Sequence, residues 1–141
     1  MNKYIYIDNY RGFTDALVPI KDVNFLVGEN STGKTSVLAI LKLLSPPDFW
    51  LQNEFDLKEV SLGTFRDVVS ISAEDKSYFS VGIVFDRPLS KKQQKRQLTE
   101  DNNTPVQSGL VALLLTFTEK EGMPKLASAV SYRNGLEIRI K

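Results

Sequence analysis

The chain has 141 residues, 42% hydrophobic and 25% charged, with a net charge of +1. That is enough for one domain with a real core, and no global field favours nucleic acid or a membrane surface. Cysteine and histidine are both absent, which excludes disulfides, a thiol nucleophile and imidazole catalysis, and leaves little from which to build a zinc site.

Residues 3–10 carry Tyr4, Ile5, Tyr6, Ile7 and Tyr10, a composition that predicts a strand. Arg11-Gly12-Phe13 breaks it. Ala16 to Ile20, with Pro19 inside, predicts a short edge strand. Val23, Phe25, Leu26 and Val27 then form an apolar run, as a strand buried on both faces would. Downstream, Val37, Ile40, Leu41 and Leu44 recur at helical spacing, and Pro46-Pro47 must stop that helix near Ser45.

Between the apolar run and the helix, Gly28 to Thr35 reads G-E-N-S-T-G-K-T, a complete G-x-x-x-x-G-K-[ST] phosphate-binding loop. Gly28 and Gly33 permit dihedrals that turn successive N–H groups inward, onto a polyphosphate at the positive end of the following helix. Lys34 is the residue to reach the β- and γ-phosphates, and the Thr35 hydroxyl the one to ligate Mg²⁺. Candidate nucleotide contacts are therefore Gly28, Glu29, Asn30, Ser31, Thr32, Gly33, Lys34, Thr35 and Ser36. The bland alternative is a chance glycine turn, expected in roughly one chain of this length in a few hundred at ordinary glycine usage.

Residues 48–59 show no clean period; Trp50 and Phe55 are assigned to capping the core. Ser61 to Val69 and Ser77 to Phe85 follow as a β segment over 61–85, the second part alternating with one clearly apolar face. Residues 86–109 form a long polar insertion. Its Lys91-Lys-Gln-Gln-Lys-Arg96 run is read as a solvated loop in preference to a phosphate-backbone contact. The chain closes as an antiparallel meander over 110–141: Leu110 to Thr118, a turn at Glu119 to Gly122, Leu126 to Arg133, and Leu136 to Ile140 after an Asn134-Gly135 hairpin signal. The fold class is thus α/β of an α+β-like kind, with residues 1–60 as strand, phosphate loop and helix core, followed by β-rich structure within a single lobe. Only Val81-Gly-Ile-Val-Phe-Asp86 has the shape of a strand ending in a second magnesium ligand, and its alternation argues against a buried parallel strand. No N-terminal signal segment or membrane-length run is present, so a cytoplasmic location is expected.

With these residues in view, the chain resembles the beginning of an ABC-type ATPase head, in the group of RecF, the structural-maintenance-of-chromosomes proteins and, above all, the overcoming-lysogenization-defect (OLD) ATPases. Tyr10-Arg11-Gly12-Phe13 is similar to their aromatic-basic-Gly-Phe element. Asn30 and Thr32 fit their narrower loop form G-x-N-x-[ST]-G-K-[ST], and Ser31 in place of glycine resembles the OLD side. Leu62 to Val69 resembles a segment that precedes their antiparallel β-subdomain. The resemblance implies ATP and Mg²⁺ as ligands, Asn30 over the γ-phosphate, and Arg11 near the nucleotide or a dimer interface. It also implies a homodimer through the full head, a DNA or nuclease partner, and work in DNA repair or phage defence. The family's glutamine loop, signature motif, Walker B acid, catalytic glutamate and switch histidine have no counterpart here, so the chain reads as an N-terminal lobe incomplete for hydrolysis. A self-contained small phosphotransferase or GTPase using Asp86, and a non-catalytic nucleotide-binding interaction module, are the alternatives.

Overall fold

A computed structural model describes residues 2–47, 49, 64–87, 109–133 and 136–140. Six strands form one sheet: β1 (Asn2–Asp8), β2 (Ala16–Ile20), β3 (Tyr78–Arg87), β4 (Gly109–Lys120), β5 (Met123–Arg133) and β6 (Leu136–Ile140). Their order is β2-β1-β3-β4-β5-β6, and every neighbouring pair is antiparallel. Among the described residues, the helices with defined bounds are α1 (Lys34–Leu44) and a single turn, α2 (Phe65–Val68).

Cross-strand register decides which side chains share a face. Ile7 stands opposite Val81, Val81 opposite Leu115, and Phe79 opposite Phe117. These five residues are at most 2% exposed, and they share one core cluster with Ile40, Leu43 and Leu44 of α1 and with Phe49. Burying each large apolar side chain of this kind contributes about 1.5–3 kcal/mol, so the fit of α1 on the sheet is what orients the loop ahead of the helix. The helix ends where expected: Ser45 donates its hydroxyl to the Leu41 carbonyl at 2.7 Å before the two prolines. Phe49, just after the prolines, is buried in the core; Trp50 and Phe55 lie outside the described residues.

The predicted strand at 23–27 is not formed. Val23, Phe25 and Val27 are 69%, 86% and 88% exposed, and no ladder includes them. A parallel strand buried on both faces needs neighbours on both sides. The described strands close on one another in an antiparallel sheet whose edge beside β1 is already taken by β2. The βα unit therefore appears as an extended loop running into a helix, and the sheet is antiparallel throughout.

The predicted β segment over 61–85 divides in two. Residues 65–68 form a helical turn because the Asp67 carboxylate accepts both the N–H and the hydroxyl of Thr64, at 2.7 and 2.8 Å. That is one arm of a capping box, and Thr64-x-x-Asp67 is its sequence signal. Strand β3 is apolar on one face by sequence but buried on both, since Ser80 and Val84 are only 7% and 8% exposed between β1 and β4. In the meander, β4 runs to Lys120 and β5 starts at Met123, leaving the two-residue turn Glu121-Gly122. Both turn residues have positive φ, 55° and 80°, as a type I′ turn requires. The polar insertion between Arg87 and Gly109, with its Lys91–Arg96 run, and Asn134-Gly135 lie outside the described residues.

Candidate functional site

The phosphate-loop sequence and the turn after β1 meet at one end of the sheet. Tyr10 and Phe13 exchange backbone hydrogen bonds at 3.1 and 2.9 Å, which folds Arg11-Gly12 into a tight turn with Arg11 at φ 50°. Two further bonds fasten that turn to the end of α2 and the residues just after it: Arg11 N–H donates to the Val68 carbonyl at 2.7 Å, and Ser70 N–H to the Asn9 carbonyl at 2.9 Å. Asn9 is itself buried and donates its amide to the carbonyls of Asp75 and Tyr78, both at 2.6 Å. The position of Arg11 is thus set by backbone and buried polar contacts. Beneath it, burial pushes the Tyr10 phenol up to about 12. Hydrogen bonds from Thr64 hold the Asp67 carboxyl below its ordinary range, with a smaller contribution from the Arg11 charge.

The loop from Gly28 to Gly33 carries three left-handed residues: Gly28 at φ 149°, Ser31 at 67° and Gly33 at 90°. Gly33 has a second reason to be glycine. A Cβ there would stand 2.8 Å from the Phe13 ring, so the side chain after the Arg11 turn rests directly on the loop. Thr32 donates its hydroxyl to the Glu29 carbonyl at 2.9 Å. The Lys34 ammonium folds back into the loop, donating to the Gly28 carbonyl at 2.8 Å and to the Glu29 carbonyl.

Between the loop and the turn is an open cleft of about 580 Å³ lined by Arg11, Gly12, Phe13 and residues 30–36. Of the predicted contacts, Arg11, Asn30, Ser31, Thr32, Gly33, Lys34, Thr35 and Ser36 line it. Gly28 and Glu29 do not; their carbonyls hold the Lys34 ammonium. Gly12 and Phe13 are lining residues absent from the predicted contacts, and the left-handed Gly33 pressed by an aromatic ring is the feature that couples them to the loop. Asp86 is at the far end of the sheet: it pairs with Asn2, whereas the cleft lies beyond Asp8, a strand length of ~20 Å away. That separation removes Asp86 as a ligand to a metal held by Thr35.

The cleft fits a nucleotide polyphosphate on its own geometry. Its volume is within the range of small-molecule sites. The first-turn amides of α1 ahead of Val37 have no intrahelical acceptor, while Val37 N–H already bonds the Gly33 carbonyl at 3.0 Å. Lys34 and Arg11 add two positive charges, and Thr35 is an exposed hydroxyl one residue into the helix. Among the described residues no group of three or more acidic side chains gathers to form a metal site by itself.

The AAA ATPase domain family matches residues 1–113 of the chain. The chain belongs to the AAA ATPase domain family. No curated protein matches it. The family is one of ATP-using domains, typically with Mg²⁺, and the match takes in the loop, α1, the Arg11 turn and the sheet as far as the first residues of β4 in this AAA ATPase domain. Among the described residues no helix is long and apolar enough to cross a membrane.

Replacing Gly33 in the AAA ATPase domain tests the contact between loop and turn. Gly33→Ala forces a left-handed non-glycine residue, at about 1–2 kcal/mol, and drives a methyl group into the Phe13 ring. The expected result is a loss of nucleotide affinity of about tenfold with the far-ultraviolet spectrum retained. An affinity equal to wild type would show that the loop conformation is irrelevant to binding.

Proposed function

We propose that this AAA ATPase domain binds ATP with Mg²⁺ through residues 28–36 and Arg11, as the nucleotide-binding lobe of an ATPase head of the OLD, RecF and chromosome-maintenance type. The observation that carries the reading is the convergence of Arg11 and Phe13 on the loop across a nucleotide-sized cleft. In this reading the amides of residues 33–36 and the Lys34 ammonium hold the phosphates. Lys34 exchanges its carbonyl partners for phosphate oxygens, Asn30 and Arg11 approach the terminal phosphate, and the Thr35 hydroxyl ligates the metal. Bound Mg²⁺ supplies charge neutralisation between the phosphates. Residues 1–141 serve as the N-terminal lobe of such a head, which acts in DNA repair or phage defence; it is the full head that pairs with a second around ATP and engages DNA or a nuclease. The antiparallel sheet favours this over a small GTPase or phosphotransferase, which needs further parallel βα units.

The test is nucleotide binding and turnover by residues 1–141 with Mg²⁺. ATP should bind at least as well as GTP, because no N-K-x-D guanine-reading element follows the loop. Turnover should stay far below about 1 s⁻¹, the low end of ordinary enzymes, because no described acid is placed to orient water. Turnover near that value, lost in Asp86→Asn, would replace this reading with the phosphotransferase one.

A further inference from the structure

The two edges of the sheet are finished differently. Edge strand β2 contains Pro19 as its fourth of five residues, a residue without a backbone donor that hinders pairing with another chain. Edge strand β6, Leu136-Glu-Ile-Arg-Ile140, has no proline, lysine or bulge, and all five residues are exposed. Its apolar row, Leu136, Ile138 and Ile140, is 63%, 56% and 67% exposed. That row continues the α1 face of the sheet, since Leu115 stands opposite Ala129 and Ala129 opposite Ile140.

The register with β5 assigns which backbone groups of β6 point away from the described sheet. Arg133 stands opposite Leu136 across two intervening residues, and a pair in that position exchanges its hydrogen bonds inward. Leu136, Ile138 and Ile140 therefore bond to β5, and the N–H and C=O of Glu137 and Arg139 point outward. An added antiparallel strand must pair through those two residues.

We propose that β6 pairs antiparallel with β6 of a second copy about a two-fold axis at Ile138, joining two sheets into one of twelve strands. In this register Glu137 stands opposite the partner's Arg139, and Arg139 opposite the partner's Glu137. Shifting two residues either way puts Glu137 opposite Glu137 or Arg139 opposite Arg139, and like charges directly opposite are destabilising. Charge thus selects the one register in which Ile138 meets the partner's Ile138 and Leu136 meets the partner's Ile140. The ion pair that Arg139 and Glu137 make within one strand, at 3.0 Å, is remade between strands. The pairing edge is opposite the edge next to β1, so this association is independent of nucleotide and of the function proposed above.

The experiment uses sedimentation velocity on residues 1–141 across a concentration series. Wild type should form a dimer that ATP neither strengthens nor weakens. Glu137→Arg and Arg139→Glu, each placing like charges opposite one another, should weaken self-association at least tenfold with unchanged melting temperatures. Mixed in equal amounts, the two variants should recover the dimer, because Arg faces Glu at both positions only in the mixed pair. The double variant E137R/R139E should dimerise like wild type. A monomeric wild type, single variants that dimerise undiminished, or a mixture that stays monomeric would each overturn the proposal. Loss of the within-strand ion pair alone cannot produce recovery on mixing.

Discussion

Lys34→Ala is expected to weaken ATP binding about ten- to a hundredfold, the effect of losing a charged hydrogen-bonding group worth ~1.5–3 kcal/mol. The ammonium reaches back to the carbonyls of Gly28 and Glu29, so it already sits inside the loop that lines the cleft. When phosphate enters, those neutral acceptors are exchanged for charged oxygens, and charge-assisted bonds are the stronger ones. Lys34 is half-exposed and takes no part in the core cluster. The thermal midpoint of the variant should therefore remain close to wild type. Titration calorimetry with ATP and Mg²⁺ checks the affinity and a melting curve checks the fold. Equal affinity in the two proteins would remove the loop from the nucleotide site.

Phe79→Ala should produce the largest loss of stability. Phe79 is 0% exposed, with its ring centroid 5.3 Å from that of Phe117, 5.7 Å from Phe65 and 6.0 Å from Tyr10. Removing a buried phenyl ring costs about 3–5 kcal/mol, a large share of the roughly 5–15 kcal/mol that holds a domain folded. The midpoint should fall by more than about 10 °C. A second consequence follows from position. Tyr10 precedes Arg11, and Phe65 begins the helical turn whose Val68 carbonyl holds the Arg11 N–H. The cavity at Phe79 should therefore loosen the Arg11 turn and reduce nucleotide affinity even where the protein remains folded. A midpoint within a degree or two of wild type would contradict the central place given to this ring.

The parts of the molecule legible in the sequence are those governed by neighbours a few residues away. The helical spacing of Val37, Ile40, Leu41 and Leu44, closed by Pro46-Pro47, predicts α1 and its apolar face; the helix buries Val37, Ile40 and Leu44 along with Leu43 and Ser36, and Leu41 only in part. Pro19 marks β2 as an edge strand, and it is one. The glycine spacing marks a left-handed loop at Gly28 and Gly33, and both have positive φ. The apolar run at 23–27 misled for a definable reason. Its composition matches a strand buried on both faces, but burial depends on neighbours that composition does not contain, and here it is an exposed extended segment. The turn at 65–68 was legible in principle through Thr64-x-x-Asp67, yet its flanking apolar residues read equally well as strand.

By itself, the sequence determined the chemistry on offer: a glycine-framed loop with Lys34 and Thr35 at a helix start, and no thiol or imidazole anywhere. Backbone dihedrals, helix periodicity and proline stops are local properties, so a one-dimensional pattern suffices to specify them. Only the tertiary structure decided that Phe13 rests on Gly33, that Arg11 faces the loop, that Asp86 lies a strand length away, and that β6 is the outer strand of the described sheet. Each of these depends on cross-strand register, and register is set by which distant side chains pack together on one face of the sheet.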